Sequence, residues 1–186
     1  MKKYIYAMIL ALTGLTMAQA QRIIPGQKGF EITTGSLSGE SPWRNYTLSL
    51  GMTVNDKNGS YQLWVLEYSH QYSKYNELRI PRETYTADGG YSFFLLGNAG
   101  RNITLNAALT AVAGYESINR GEALLQDGAI IIPEDNFIYG AGTRLSFETY
   151  LSDHFVFLLQ GRIKALWGTD LKQFRPSAGL GIRYNL

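Results

Sequence analysis

Residues 178–186 read Ala-Gly-Leu-Gly-Ile-Arg-Tyr-Asn-Leu and alternate without a fault. Leu180, Ile182, Tyr184 and Leu186 fall on one side, with Gly179, Gly181, Arg183 and Asn185 on the other. Successive side chains of a strand point to opposite faces of a sheet, so this stretch is a strand with one oily face. Working back from it, the same period of two recurs in seven more segments, at about Lys28–Leu37, Asn45–Val54, Ser60–Tyr72, Glu83–Leu96, Ile103–Tyr115, Phe137–Tyr150 and Phe155–Trp167, with the last strand running Phe174–Leu186. The second is clean: Tyr46, Leu48, Leu50, Met52 and Val54 alternate with Thr47, Ser49, Gly51 and Thr53. In the third, Leu63 and Val65 interrupt the polar face, so its parity is the weakest of the eight. Each segment reaches the roughly 9–11 residues that a tilted strand needs to cross a bilayer.

The connections alternate in length. Asn55–Gly59, Gly97–Asn102 and Leu151–His154 are tight and rich in residues that tolerate turn conformations, whereas the others are longer or more irregular, above all about 116–135. An even strand count with short turns on one side and longer loops on the other is the plan of an outer-membrane barrel. The fold expected is therefore all-β, an eight-stranded antiparallel up-and-down transmembrane barrel. The glycine, aromatic and terminal hydrophobe at Gly181, Tyr184 and Leu186 also resemble the C-terminal assembly signal of such barrels, with Leu where Phe is usual. A soluble sandwich or lipocalin-like barrel would alternate too. With only 17% charged residues, however, this chain has little with which to clothe a soluble exterior.

Composition agrees with an exported β protein. Lys2 and Lys3, the apolar run Tyr4–Met17 and the small residues Ala18 and Ala20 around Gln19 form the three parts of a secretory signal, cleaved after residue 20. A single anchoring helix is the alternative; its apolar run is short for a span. Residues 21–186 are then one barrel domain. Removal of Lys2 and Lys3 lowers the 17 basic residues to 15, equal to the 15 acidic ones, so no basic surface points to nucleic acid. The absence of cysteine excludes a disulfide scaffold, a lipoprotein anchor and a thiol nucleophile. Thirteen Tyr, eight Phe and three Trp supply interfacial girdles, expected at Trp43, Tyr46, Tyr72, Tyr85, Tyr115, Phe137, Tyr139 and Trp167 toward the loops and at Tyr61, Phe93, Phe147, Phe155 and Tyr184 toward the turns.

If the polar faces point inward, the lumen receives Glu31, Glu67, Asp88 and Glu148 together with Arg144, Arg162, Lys164 and Arg183. The acids come mostly from the first half of the sheet and the bases from the second. Buried charges need partners, and eight strands leave room for little beyond side chains, so these residues are expected to form a charge-paired plug and not an ion pathway. Catalysis has two histidines to work with. His154 falls in a turn; His70 lies near Ser69 and Ser73, and a Ser–His pair can activate a nucleophile. Both serines face the opposite side of the strand from His70, so an enzyme would need a serine from another strand. No metal cluster, nucleotide loop or cofactor motif is present. Within the longest loop, Ala123–Ile132 carries an Asp-Gly turn between two apolar arms, and Leu124, Leu125, Ile130 and Ile131 are the best candidates for a protein contact.

The chain as a whole resembles the TraO conjugal transfer proteins of conjugative transposons in Bacteroides and its relatives. The resemblance is carried by Gly51–Asn55, Tyr61–Trp64, Glu83–Ala87, Gly89–Leu96, Ala111–Tyr115, Ile118–Glu122, Asn136–Gly140, Leu145–Asp153 and Phe174–Gly179. It implies membership of a mating apparatus in the outer membrane of a Gram-negative bacterium, with other transfer proteins and membrane lipids as partners. It brings no catalytic residue. The expectation is a non-enzymatic accessory barrel without cofactor; the alternatives are a lipid-modifying barrel enzyme and a soluble periplasmic subunit of the same machinery.

Overall fold

The computed structural model describes residues 24–38, 44–75, 78–98, 102–119, 136–169 and 172–186, with the side chains of 73–79 left out. Eight strands follow one another: β1 Lys28–Leu37, β2 Tyr46–Asn55, β3 Tyr61–Tyr75, β4 Leu78–Gly97, β5 Ile103–Ile118, β6 Asn136–Tyr150, β7 Phe155–Trp167 and β8 Phe174–Asn185. Each pairs antiparallel with the next, and β8 returns to β1, closing the barrel. Closure satisfies every edge, which is what a strand-built wall in lipid requires.

The oily faces point out. Ile32, Leu50, Leu66, Leu145, Leu159, Leu180 and Ile182 are all exposed, and Leu66 retains 65% of its surface. Alternate positions are buried, among them Glu31, Thr33, Thr47, Ser49, Glu67, Thr84, Thr86 and Arg144. A protein folding in water would invert this arrangement, because apolar area left in water forgoes roughly 25 cal/mol per Å². Leu63 and Val65, the two residues that blur the third strand, point inward and form a buried cluster with Tyr61 and Ala108.

Three strands run past their expected ends. β3 continues to Tyr75, β4 starts at Leu78 and β5 continues to Ile118. The connection between β3 and β4 is therefore only residues 76–77, not one of the longer loops. Period-two hydrophobicity is imposed only where one face of a strand meets an apolar medium, so the sequence carries no such signal for strand that rises beyond it. β4 also shifts register between Phe94 and Leu96, where a bulge interrupts its pairing with β5 before Leu96 and Gly97 resume it.

The turns at the opposite end are built from local hydrogen bonds. Asn58 and Gly59 adopt φ values of 63° and 84°, and Asp56 accepts from the Lys57 backbone N–H at 2.7 Å and from the Tyr91 hydroxyl at 2.8 Å. Those two donors, the Lys57 N–H first, hold the Asp56 carboxyl below its usual range. Asn98 and Ser152 serve the other two turns, accepting from the Ile103 and Phe155 N–H groups. The C-terminal residue meets the start of β1 at this rim. Leu186 N–H donates to Lys28 O at 2.9 Å, and Gln27 Nε2 donates to Leu186 O at 3.2 Å.

Gly51 shows how tightly the interior is filled. A Cβ there would sit 2.6 Å from Glu31 Cγ, so any larger residue must displace that carboxylate. Gly51→Leu is expected to cost about 1–3 kcal/mol, as overpacking does, seen as a lower urea midpoint with the heat-dependent gel shift retained; an unchanged midpoint would show that Glu31 has room to move.

Candidate functional site: the charged lumen

The eight lumen residues named from sequence project into the barrel and meet there. Those nearest the turns converge on Arg183. Its guanidinium lies 3.1 Å from Glu31 on β1 and 3.0 Å from Glu148 on β6, and stands 4.3 Å above the ring of Tyr61. Arg144 donates to Glu31 at 2.6 Å and to the Tyr61 hydroxyl at 3.0 Å; the same hydroxyl donates to Glu148 at 2.5 Å. Arg183 and Glu31 are also directly opposed in the β1–β8 register, so an ion pair sits on the seam that closes the barrel.

A second group lies toward the loops. Glu67 on β3 accepts from Arg162 at 2.6 Å and from Lys164 at 2.9 Å, both on β7. Lys164 also reaches Asp88 on β4 at 2.8 Å, and the Thr86 hydroxyl at 2.8 Å. Arg162 donates further to Thr33 at 2.7 Å and to Gln160 at 2.6 Å. In these two groups four acids meet four bases, and charge is balanced within hydrogen-bonding distance. Two residues beyond Lys164 on β7, Leu166 packs with Val112 and Ile138 in an apolar cluster on the inner wall. Among the described residues, these paired charges and this cluster fill much of the inner wall.

A third group was not assembled from the sequence. Glu116 on β5 accepts from Arg175 on β8 at 2.6 Å, lies 3.8 Å from Arg82 on β4, and accepts from Thr84 and Thr169 at 3.2 and 2.7 Å. Arg82 and Glu116 fall outside the expected strand ends, although both continue the inward parity of their strands. Arg175 shares the inward parity of Arg183, a signal that was open to use.

Tyr61 corrects the girdle reading. It does not stand at the turn-side interface: it is 1% exposed and its hydroxyl links Arg144 to Glu148. Its parity matches Leu63, Val65 and Glu67, so the alternation itself places it inside. On the outer face, toward the loops, Tyr46, Tyr68, Tyr85, Tyr115, Phe137, Tyr139 and Trp167 follow one another around the wall, with Tyr68 and Tyr85 rings 5.2 Å apart and Tyr139 and Trp167 rings 6.5 Å apart. Trp43 lies outside the described residues.

His70 belongs to this aromatic surface. Its ring stacks on Tyr46 at 5.5 Å and meets Tyr72 edge-on at 4.9 Å; Nδ1 lies 3.9 Å from Glu83 and has no hydrogen-bond partner. A Ser–His pair requires a hydroxyl at hydrogen-bonding distance, and among the described residues none engages Nδ1. His154 stacks on Tyr184 at 5.6 Å in the turn between β6 and β7. Among the described residues no group of three or more His, Cys, Asp or Glu side chains could hold a metal ion. Leu124, Leu125, Ile130 and Ile131, like Ala18 and Ala20, lie outside the described residues.

The family model described as "Conjugative transposon protein TraO" matches residues 24–186. The chain belongs to the TraO family. No curated protein matches it. Among solved structures, this TraO-family chain is similar to Neisserial surface protein A, with a TM-score of 0.60, 10% identity, and coverage of 86% of this chain and 95% of that one. It is similar to the attachment invasion locus protein Ail of Yersinia pestis, at 0.55 and 13% identity over 88% and 100% of the two chains. The N-terminal β-barrel domain of Pseudomonas aeruginosa OprF gives 0.52 and 10% identity over 87% and 98%. At these identities the likeness is one of fold: an eight-stranded barrel of outer-membrane type.

Proposed function

We propose that this protein is a non-enzymatic accessory of the conjugative transfer apparatus, exported by residues 1–20 and inserted as a single barrel, residues 21–186, in the outer membrane of a Gram-negative bacterium. The observation that carries this reading is the TraO family match across the barrel. The filled lumen supports a role in contact and not in conduction. Partners are other transfer proteins, engaged through the loops, with 116–135 and its Leu124, Leu125, Ile130 and Ile131 the leading surface. The wall meets outer-membrane lipid.

Deletion of the gene is expected to lower the frequency of transposon transfer, and the wild-type gene to restore it; undiminished transfer would overturn the reading. In planar bilayers the purified barrel is expected to show no stable open-channel conductance, since its interior charges are paired. Regular ohmic steps would contradict the plug. His70→Ala is expected to leave both transfer and the pattern of lipid A species unchanged, whereas a lipid-modifying barrel would lose a product.

A further inference from the structure

We propose that the outward face of the β3–β4 hairpin, where it rises past the aromatic belt, binds the headgroup phosphate of an outer-leaflet lipid through Arg44, Lys74 and Arg79. The inference rests on the outer-membrane reading above, which puts the loop end at the outer leaflet, and adds to it a lipid class and a place on the wall.

The belt fixes the level. Tyr46, His70 and Glu83 are register partners on the outer face of β2, β3 and β4, and Tyr46, Tyr72 and Tyr85 are 41%, 40% and 50% exposed. Amphipathic rings of this kind settle where acyl chains give way to headgroups. Above that boundary the sheet goes on. Tyr72 pairs with Pro81, and Lys74 pairs with Arg79 one step higher, at the same outward parity and roughly 7 Å further along the strand. The headgroup layer is roughly 5–7 Å deep, so both cations fall at its level. Arg44, exposed two residues before Tyr46, joins them: Asn45 Oδ1 accepts from the Tyr72 N–H at 3.0 Å, which ties the head of β2 to β3 beside Tyr72.

These positions call for an anion. Like charges placed directly opposite on a sheet destabilise it, and Lys74 and Arg79 are such partners. The described acid on the outward face of these strands at the belt is Glu83, one step below Pro81; it accepts from the Tyr85 hydroxyl at 3.4 Å and lies 3.9 Å from His70. Glu77, in the connection, lies outside the described residues. A phosphate offers several acceptor oxygens and suits both the guanidinium fork and the compact ammonium. Lipid is the occupant because the patch continues the lipid-facing wall upward, into the layer where headgroups already lie against it.

For the test, the mature protein is folded in uncharged detergent micelles and given lipid A or dephosphorylated lipid A, and retained adducts are counted by native mass spectrometry. Wild type is expected to hold lipid A in preference to the dephosphorylated form. A cation near an anionic membrane surface contributes about fivefold, so Arg44→Gln, Lys74→Gln and Arg79→Gln together are expected to weaken binding about a hundredfold, while Lys57→Gln on the turn rim leaves it unchanged. Folding is checked by the heat-dependent gel shift; should the triple variant fail to fold, the single ones decide, each losing about fivefold. Equal retention of the two lipids, undiminished binding by the variants, or an equal loss in Lys57→Gln overturns the proposal. So does binding of hexaglutamate with no lipid A adduct, which would assign the patch to an acidic protein partner. The membrane reading fails separately, in a carbonate wash; a barrel that stays in the outer membrane but ignores the lipid A phosphate loses only this site.

Discussion

Replacement of Arg183 by Met is expected to destabilise the barrel by about 3–5 kcal/mol, the cost of breaking a buried ion pair by removing one partner. Arg183 is 1% exposed and serves two carboxylates at once, Glu31 at 3.1 Å and Glu148 at 3.0 Å. Without it, Glu31 keeps Arg144 at 2.6 Å, but Glu148, 0% exposed, keeps among the described residues only the Tyr61 hydroxyl. The penalty therefore falls mainly on Glu148. Adding Glu148→Gln to Arg183→Met should recover part of the loss, because it removes the stranded charge. Urea titration of the barrel in phospholipid vesicles, followed by tryptophan fluorescence, measures both. A loss below about 1 kcal/mol, the range of an exposed pair, would contradict the assignment.

The second large effect comes from the outer wall. Leu66→Arg is expected to cost about 2–4 kcal/mol in a bilayer, as a cation on the lipid face of a barrel strand does near the midplane. Leu66 lies between Leu50 and Ala87 in register, below the belt of Tyr68 and Tyr85. At 65% exposure, the same substitution on a water-facing surface would change stability by no more than about 0.5 kcal/mol. The two environments thus predict results well outside each other's range. Vesicle-inserted protein, titrated with urea beside wild type, gives the comparison directly.

Strand identity and facing were legible because lipid on one side and packed charges on the other force a strict period of two. β7 carries this in full, with Phe155, Phe157, Leu159 and Ile163 outward and Gln160, Arg162 and Lys164 inward. What alternation does not encode is height and direction around the barrel. It places Glu67 and Lys164 inside; that they meet at 2.9 Å follows from stagger and closure across four strands. The ends of strands are lost for a related reason. Past the belt no apolar medium enforces alternation, so Arg82 and Glu116 fall beyond the expected limits of strands to which they belong. Tyr61 failed differently: an aromatic residue at a strand end suggests a girdle, yet its parity places it beside Leu63 and Val65.

The lumen also bears on role. In the two inner groups each charged side chain has a partner of opposite charge within hydrogen-bonding distance, which supports the proposed role in contact over conduction. The loops and rims remain as the surfaces through which a barrel of this kind could act in the transfer machinery, and β8 closes the wall onto β1 beneath them.

Membrane insertion tests the account most directly. Envelopes of producing cells, washed with alkaline carbonate and separated by density, are expected to keep the protein in the outer-membrane fraction. Only detergent should release it, and the unheated sample should migrate differently from the boiled one on a denaturing gel. Extraction by carbonate alone, with a single gel position before and after heating, would contradict the barrel's place in the membrane.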